Sequence, residues 1–172
     1  MPVGITGTVD VDQAEAVLLR FGLIFDNDNY LKVVGQSGLN WVNKNFRDHG
    51  TEQPWRPLSP NTLANPKRGG AGAQPLRDTG RMAASFVVGF GAGSVSVGTE
   101  DKKAKWHNEG TDPFTIRPRK GKFLVFLTTD GMRSARVVHH PGIPKRPLIP
   151  SIPAAEKIAT DVLGAMVRDA AS

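Results

Sequence analysis

Side chains with the chemistry of proton transfer or metal binding occur between residues 107 and 140. His107 and Glu109 are two residues apart, Asp112 follows them, and His139 and His140 are adjacent. A histidine with a carboxylate is typical of a hydrolase's acid–base pair, and the same residue types ligate metals. A structural zinc site needs four ligands at recognisable spacings, which these residues do not offer. We therefore predict no metal, no cofactor and no catalytic residue, and a hydrolase using His107 and Glu109 is the weakest hypothesis.

Other reactive chemistry is excluded by composition and context. The chain contains no cysteine, which excludes disulfides, cysteine-based zinc sites, iron–sulfur clusters and thiol catalysis. Residues 89–94 (GFGAGS) are followed by alternating valines, so a hairpin is favoured over a dinucleotide-binding loop, which needs a helix there. Residues 67–74 (KRGGAGAQ) lack the Gly-Lys-Ser/Thr that completes a phosphate loop.

The positive charge is concentrated in one part of the chain. The 172 residues include 22 Lys and Arg against 16 Asp and Glu, a formal net charge of +6. Residues 100–150 contain eleven basic and five acidic residues and carry the whole excess. The densest group, which we call the basic segment (residues 117–122), is predicted to form a hairpin tip. It is typical either of solvated surface or of sequence-independent contact with phosphates. Its DNA-facing candidates are Arg117, Arg119, Lys120 and Lys122.

The length and the apolar runs indicate one soluble domain. A chain of 172 residues is long enough to bury a proper core without staples. The longest apolar run is FLVFL at residues 123–127, far shorter than the roughly 18 residues of a membrane span. The N-terminus lacks the basic start and apolar stretch of a signal peptide. We therefore expect a single intracellular domain over residues 1–172 with no membrane partner.

Three segments show the apolar periodicity of helices. The first covers residues 11–25 and is capped by Asp10, and the second covers residues 30–48 and is ended by Gly50. The third follows Ser151 and closes the chain. These are the elements expected to support whatever surface the protein uses.

The middle of the chain combines loops with strands. Residues 51–75 are rich in Pro, Gly and Asn and predict a long mobile loop, followed by a short helical turn within residues 76–85. The remaining predictions are a hairpin over residues 86–97, a second hairpin joining residues 114–116 to a buried strand at 123–127, a weaker strand at 135–139, and an extended Pro-rich segment at 141–150. The order of helices, strands and a final helix predicts an α+β fold, with a small antiparallel sheet of hairpins and the C-terminal helix packed on it.

Four segments, in this order and with these gaps, resemble a known family. They are NFRDHGTEQPWRPLSPNTLANPKR, LRDTGRMAASF, SVSVGTEDKKAKWHNEGT and HHPGIPKRPLIPS, followed by the closing helix. Together they resemble the virion morphogenesis or tail-completion proteins of tailed bacteriophages, a family that overlaps with the head–tail joining (neck) proteins. The resemblance covers roughly residues 45–170.

The resemblance implies roles for particular residues. Those expected to specify the fold or to contact neighbouring subunits are Trp55, Pro57, Leu58, Asp78, Gly80, Trp106, His107, Pro144, Arg146 and Pro147. Trp55, Pro57 and Leu58 would anchor the start of the loop against the helices. The turn at residues 78–80 would cap the short helix after it. Arg146 would bridge to a carboxylate or to strand carbonyls.

The function implied by the resemblance is structural. Such a protein is expected to form a homohexameric ring at the head-proximal end of the tail or in the neck, completing the tail and enabling head–tail joining. Its expected partners are connector or neck proteins, tail tube or tail terminator proteins, and packaged DNA at the basic segment. It would assemble in the host cytoplasm and reside in the virion. The alternative is a basic, non-specific DNA-binding module without a role in the virion.

Overall fold

The computed structural model describes residues 5–9, 27–65 and 73–170, and for residues 5–9 it describes only the backbone. The helix expected at residues 11–25 and residues 66–72 of the predicted loop lie outside these ranges. The helices are α1 (Asn27–Asp48), α2 (Pro60–Leu63), α3 (Arg81–Ala84), α4 (Lys102–Glu109) and α5 (Ile152–Ala170). The strands are β1 (Ile5–Val9), β2 (Val87–Gly91), β3 (Ser94–Thr99), β4 (Phe114–Ile116), β5 (Leu124–Thr128), β6 (Gly131–Ala135) and β7 (Val138–His140).

Helix α1 confirms the second predicted helix and is the main support of the core. Its apolar stripe buries Leu31, Val34, Val42 and Phe46, as the spacing of three and four residues requires. The helix ends at Asp48 because the chain turns left-handed at the next two residues, with φ of 56° at His49 and 109° at Gly50. A side chain at Gly50 would collide with the backbone of Gln53.

A three-stranded antiparallel sheet packs against α1. The strand order is β1-β3-β2, with Val9 opposite Val95 and Val87 opposite Gly98, so the predicted hairpin at residues 86–97 is confirmed. The helix approaches the sheet closely at Gly35, where an added Cβ would lie 2.5 Å from Cγ1 of Val88. A glycine is therefore required at this point of the helix, despite its low helix propensity.

Helix α5 covers the other part of α1, and it confirms the predicted C-terminal helix. The hydroxyl of Tyr30 donates to the carbonyl of Ala159 at 3.2 Å, and burial raises the pKa of this tyrosine. Ser151 stands before the first turn, where its hydroxyl accepts from the backbone N–H of Ala154 at 3.4 Å. These elements give the α+β fold that the sequence predicts.

The second predicted hairpin is wrong in both its pairing and its burial. Strand β4 pairs with β7, and β5 pairs with β6, so residues 114–116 and 123–127 are not partners. The run at residues 123–127 is not a buried strand, since Val125 is 65% exposed and Phe123 is also exposed. An apolar run indicates a surface that avoids water, but it does not indicate which part of the structure covers that surface.

Part of the predicted loop at residues 51–75 is anchored to the core. Trp55 is buried and contacts Phe46 edge to face, with ring centroids 5.4 Å apart. The short helix α2 follows, and the hydroxyl of Ser59 accepts from the backbone N–H of Thr62 at its start.

None of the described helices combines the length and apolar character needed to cross a membrane.

Candidate interaction surfaces

The carbonyl oxygen of Pro147 joins three distant parts of the chain. It accepts hydrogen bonds from Nδ2 of Asn45 at 2.9 Å and from Nε1 of Trp55 at 3.1 Å. Asn45 lies on α1, is fully buried, and its Oδ1 accepts from the backbone N–H of Thr51 at 2.7 Å. The Pro-rich segment is thus connected to α1 and to the start of the loop. Trp55 thus lies between α1 and the Pro-rich segment.

Arg146 fastens the same segment to its other neighbours. Its side chain is buried, and Nη2 donates to the backbone carbonyl of Arg56 at 2.9 Å. Its backbone N–H donates to the carbonyl of His107 at 2.7 Å, which ties the segment to α4. The guanidinium therefore bonds a loop carbonyl, whereas the sequence suggested a carboxylate or a strand carbonyl. Burial lowers the pKa of Arg146, and the nearby Arg56 guanidinium lowers it further.

His107 faces this guanidinium from α4. Burial lowers the pKa of His107, and the positive charge of Arg146 contributes in the same direction. Nδ1 of His107 and Nε of Arg146 are both buried, and neither has a hydrogen-bond partner among the described residues. A cation and a neutral imidazole at this position are compatible, whereas two cations would repel each other.

An open groove of about 920 Å³ lies on the surface in front of His107. Its described lining is drawn from three segments and comprises Leu58, Thr62, Ala73, Gln74, Leu76, Arg77, Asp78, Thr79, Gly80, Arg81, Met82, Ser85, Asp101, Lys103 and His107. Four of the residues expected to specify the fold or to contact subunits therefore line this groove. They are Leu58, Asp78, Gly80 and His107. Trp106 and Pro144 are not part of this lining, and Trp106 is 53% exposed on α4.

The polar groups of the groove serve structural roles. The hydroxyl of Ser85 lies 2.8 Å from the carbonyl of Met82 and donates to it, and the carboxylate of Asp101 caps α4 by accepting from the N–H of Lys103. The turn before α3 does not cap that helix through a side chain, because Gly80 occupies the N-cap position with φ of 72°. The groove therefore offers mixed charge and apolar surface, which suits contact with a polar protein surface.

His139 and His140 belong to the β4–β7 ladder. His140 stacks on Phe114 with centroids 4.7 Å apart, and its Nδ1 accepts from the N–H of Gly142. Nδ1 of His139 lies 3.3 Å from the hydroxyl of Thr115. Across residues 27–65 and 73–170, no three histidine or acidic residues converge in a way that would hold a metal ion.

The basic segment is an exposed loop between β4 and β5, and it is not the tip of a hairpin. Arg117, Arg119, Lys120 and Lys122 are all exposed. Among the described residues, none of these four cations belongs to an ion pair. Their charge is therefore available to an external partner.

The fold adds two arginines to this region that sequence reasoning missed. Arg133 lies on β6 and Arg136 directly follows it, so the pairing of β5 with β6 returns both toward the strand that the basic segment enters. The guanidinium of Arg136 lies over the ring of Phe123, 5.5 Å from its centroid. In the sequence, the only sign of a role for these two arginines was that both lie within the basic stretch at residues 100–150. Asn45 was also missed, and its signal was a polar residue on the apolar stripe of a helix.

Comparisons with known proteins yield one match. A family model described as the phage virion morphogenesis family matches residues 10–168. No curated protein and no solved structure matches the chain. The matched range contains the Pro147 junction, the groove and the basic segment.

Proposed function

The chain belongs to the phage virion morphogenesis family, and from this premise we propose that it forms a homohexameric ring at the head-proximal end of the tail or in the neck. There it would complete the tail and enable head–tail joining, as a structural subunit rather than an enzyme. Family membership indicates a role in virion assembly. The position, the ring and the partners are our proposal.

The match over residues 10–168 carries this proposal, and the described surface supports it. Leu58, residues 78–80 and His107 meet at the groove, which is exposed and joined to the core through Arg146. A groove supported in this way presents a fixed shape to a partner at little cost in conformational entropy. We propose connector or neck proteins and tail tube or tail terminator proteins as the partners of the ring.

The test is assembly of the phage with and without this chain. We expect particles lacking it to accumulate as filled heads and separate tails, with joining restored when the purified protein is added. Electron microscopy of restored particles should place its density at the joint. Infectious, fully joined particles made without the protein would contradict the proposal.

We further propose that the basic segment faces DNA passing through the ring. Lys and Arg side chains release counterions from phosphates without reading sequence, which suits a channel through which any genome passes. The double variant R119A/K120A should slow DNA ejection while rings still form. A matched control, K32A/R168A, removes the same charge from two exposed positions on α1 and α5 and should leave ejection unchanged. Unchanged ejection in R119A/K120A would contradict the DNA-facing assignment.

The second candidate function is non-specific DNA binding outside the virion, which the unpaired charge of the basic segment favours. It predicts tight binding of the free protein to duplex DNA. The logarithm of the observed binding constant should then fall linearly with the logarithm of the salt concentration, with a slope of about −0.9 per phosphate contact. The absence of binding at low salt would exclude this function and leave the virion role intact.

A further inference from the structure

Strand β2 forms one edge of the three-stranded sheet. Strand β2 is the terminal strand in the order β1-β3-β2, so its outer backbone groups have no strand partner among the described residues. Its sequence, VVGFG, contains no charge and no proline. Val87 is 61% exposed and Phe90 is 60% exposed. Edges of monomeric proteins are usually protected by charges, prolines or bulges, and an unprotected edge favours pairing with another chain.

The β5–β6 hairpin also lacks a third strand among the described residues. It is a ladder of two strands that joins no other strand of the described chain, and two-stranded ladders are marginally stable in water. Leu127 is opposite Met132, which places Met132 on the same face as Val125. Val125 is 65% exposed and Met132 is 69% exposed. At its turn, the N–H of Thr129 is bound by Oδ1 of Asn61 at 3.2 Å.

Strands β2 and β5 belong to separate sheets of the described chain, so they do not pair with each other within one copy. We propose that the β5–β6 hairpin of one copy docks on the β2 edge of the next copy. This inference rests on the proposed ring and identifies the subunit contact that closes it. The contact is heterologous, because two different surfaces meet, and repeated heterologous contacts close into a ring when the rotation permits.

Charge favours a second copy at these two elements. Each copy carries a net charge of +6, so two copies repel at long range, and an uncharged contact surface adds no local repulsion to this. Strands β2 and β5 contain no charged residue. On the partner strand β6, Arg133 is paired with Asp130 of the same hairpin, so the β2 edge and the β5 strand are compatible with each other in a positively charged protein.

The exposed apolar side chains set an upper limit on the size of this contact. The large apolar side chains exposed on the two surfaces are Val87, Phe90, Phe123, Val125, Phe126 and Met132. At on the order of 100 Å² each, they would bury roughly 600 Å². A standard interface buries about 1,600 Å² in total, of which somewhat more than half is apolar. Because side chains alternate between the two faces of a strand, Val87 and Phe90 lie on opposite faces, as do Val125 and Phe126, so this area is an upper limit divided between two sides of the contact. Main-chain hydrogen bonds along the β2 edge would supply the rest of the contact.

Cross-linking tests the inference directly, because the chain has no native cysteine. The double variant F90C/V125C is treated with a short bis-maleimide, both as purified rings and in assembled particles. We expect a ladder of covalent oligomers that ends at the ring size. Either single variant should give no ladder, since one half of each contact lacks its thiol. A single variant that yields covalent dimers would indicate like-to-like contact and overturn the inference.

Substitution with lysine provides a second readout. V87K and V125K should each raise the protein concentration at which rings form by at least about tenfold, because each places an unpaired charge in the contact. The control V167K alters an exposed valine on α5 and should leave that concentration within about twofold. Circular dichroism checks that each variant is folded. The concentration at which rings form is compared only among variants whose spectra match the wild type.

The outcomes separate this inference from the proposed function. Rings that form and join heads to tails without any F90C–V125C cross-link would overturn the docking mode alone. Cross-links from these positions to another virion protein, rather than to a second copy, would overturn it as well. Failure of the protein to form rings in solution and on tails would overturn the inference together with the proposed ring.

Discussion

The Asn45 side chain offers the sharpest test of how the Pro-rich segment is held. In Asn45→Ala, the N–H of Thr51 and the carbonyl of Pro147 each lose one hydrogen bond. Pro147 keeps its bond from Trp55, but the Thr51 N–H loses its side-chain acceptor. Two bonds of about 1 kcal/mol each, with a small penalty for that N–H, predict a loss of about 2–3 kcal/mol in the free energy of unfolding.

Trp55→Phe provides the comparison within the same junction. It removes the Nε1 donor, which costs about 1 kcal/mol because Asn45 still satisfies the Pro147 carbonyl, and the smaller ring leaves a gap beside Phe46 that adds to the loss. Asn40→Ala is the matched control, because Asn40 is exposed on the same helix, and its effect should be within about 0.5 kcal/mol. Urea unfolding measures all three variants. In thermal unfolding, Asn45→Ala should lower the melting temperature by about 5–10 °C.

Asn45→Asp tests the direction of the hydrogen bonds. The carboxylate still accepts from Thr51, but it places an oxygen where Nδ2 donates to Pro147. Burial and this facing carbonyl should raise the pKa of the new carboxyl above its unfolded value near 3.9. A raised pKa stabilises the fold below the unfolded pKa, and that stabilisation is lost as pH rises. The deficit relative to wild type should therefore grow between about pH 4 and pH 7.

Two results would refute this reasoning. The first is an Asn45→Ala variant that loses no more stability than Asn40→Ala, which would mean that the junction contributes nothing. The second is an Asn45→Asp variant whose deficit does not depend on pH. Either result would show that α1 and the Pro-rich segment are not joined as described.

Three further predictions follow from the contacts described above. Gly35→Ala should lower the free energy of unfolding in urea by about 1–3 kcal/mol, because the added Cβ would lie 2.5 Å from Val88. A neutral effect would show that the helix does not approach the sheet so closely. Because burial and then the charge of Arg146 lower the pKa of His107, the stability that it contributes is present above about pH 6.5 and is lost as pH falls. His107→Gln should flatten the stability–pH curve below pH 6.5, and an unchanged curve would contradict the assignment. R119A/K120A should reduce the salt slope of any DNA binding by about 2 without changing urea stability, as measured by fluorescence anisotropy; an unchanged slope would exclude these two contacts.

Helices α1 and α5 were predictable because their signal is local, whereas α4 was not predicted from the sequence. The spacing of Leu31, Val34, Val42 and Phe46 describes one face of a helix, and any fold must bury that face. The hairpin of β2 and β3 was predictable for a similar reason, since a short glycine-rich connection brings neighbouring segments together. In this hairpin, residues that are close in the sequence are also close in space.

The junction at Pro147 was only partly predictable. The buried Trp55 follows from its size and from the resemblance, but its acceptor lies 92 residues away. Asn45 is 102 residues from the same oxygen, and the partner of Arg146 is a loop carbonyl 90 residues away. Backbone carbonyls have no residue type, so sequence patterns do not identify which one a buried donor will reach.

By itself, the sequence determined the absence of cysteine chemistry, the α+β class, helices α1 and α5 and the position of the excess charge, because each depends on composition or short-range periodicity. Only the tertiary structure decided that β4 pairs with β7, which separates the basic segment from any hairpin. It also decided that the run at residues 123–127 is largely exposed and that β2 is the terminal strand of its sheet. The physical reason is that strand pairing and burial arise between distant segments, and the same apolar residues serve equally in a core or in a contact between subunits.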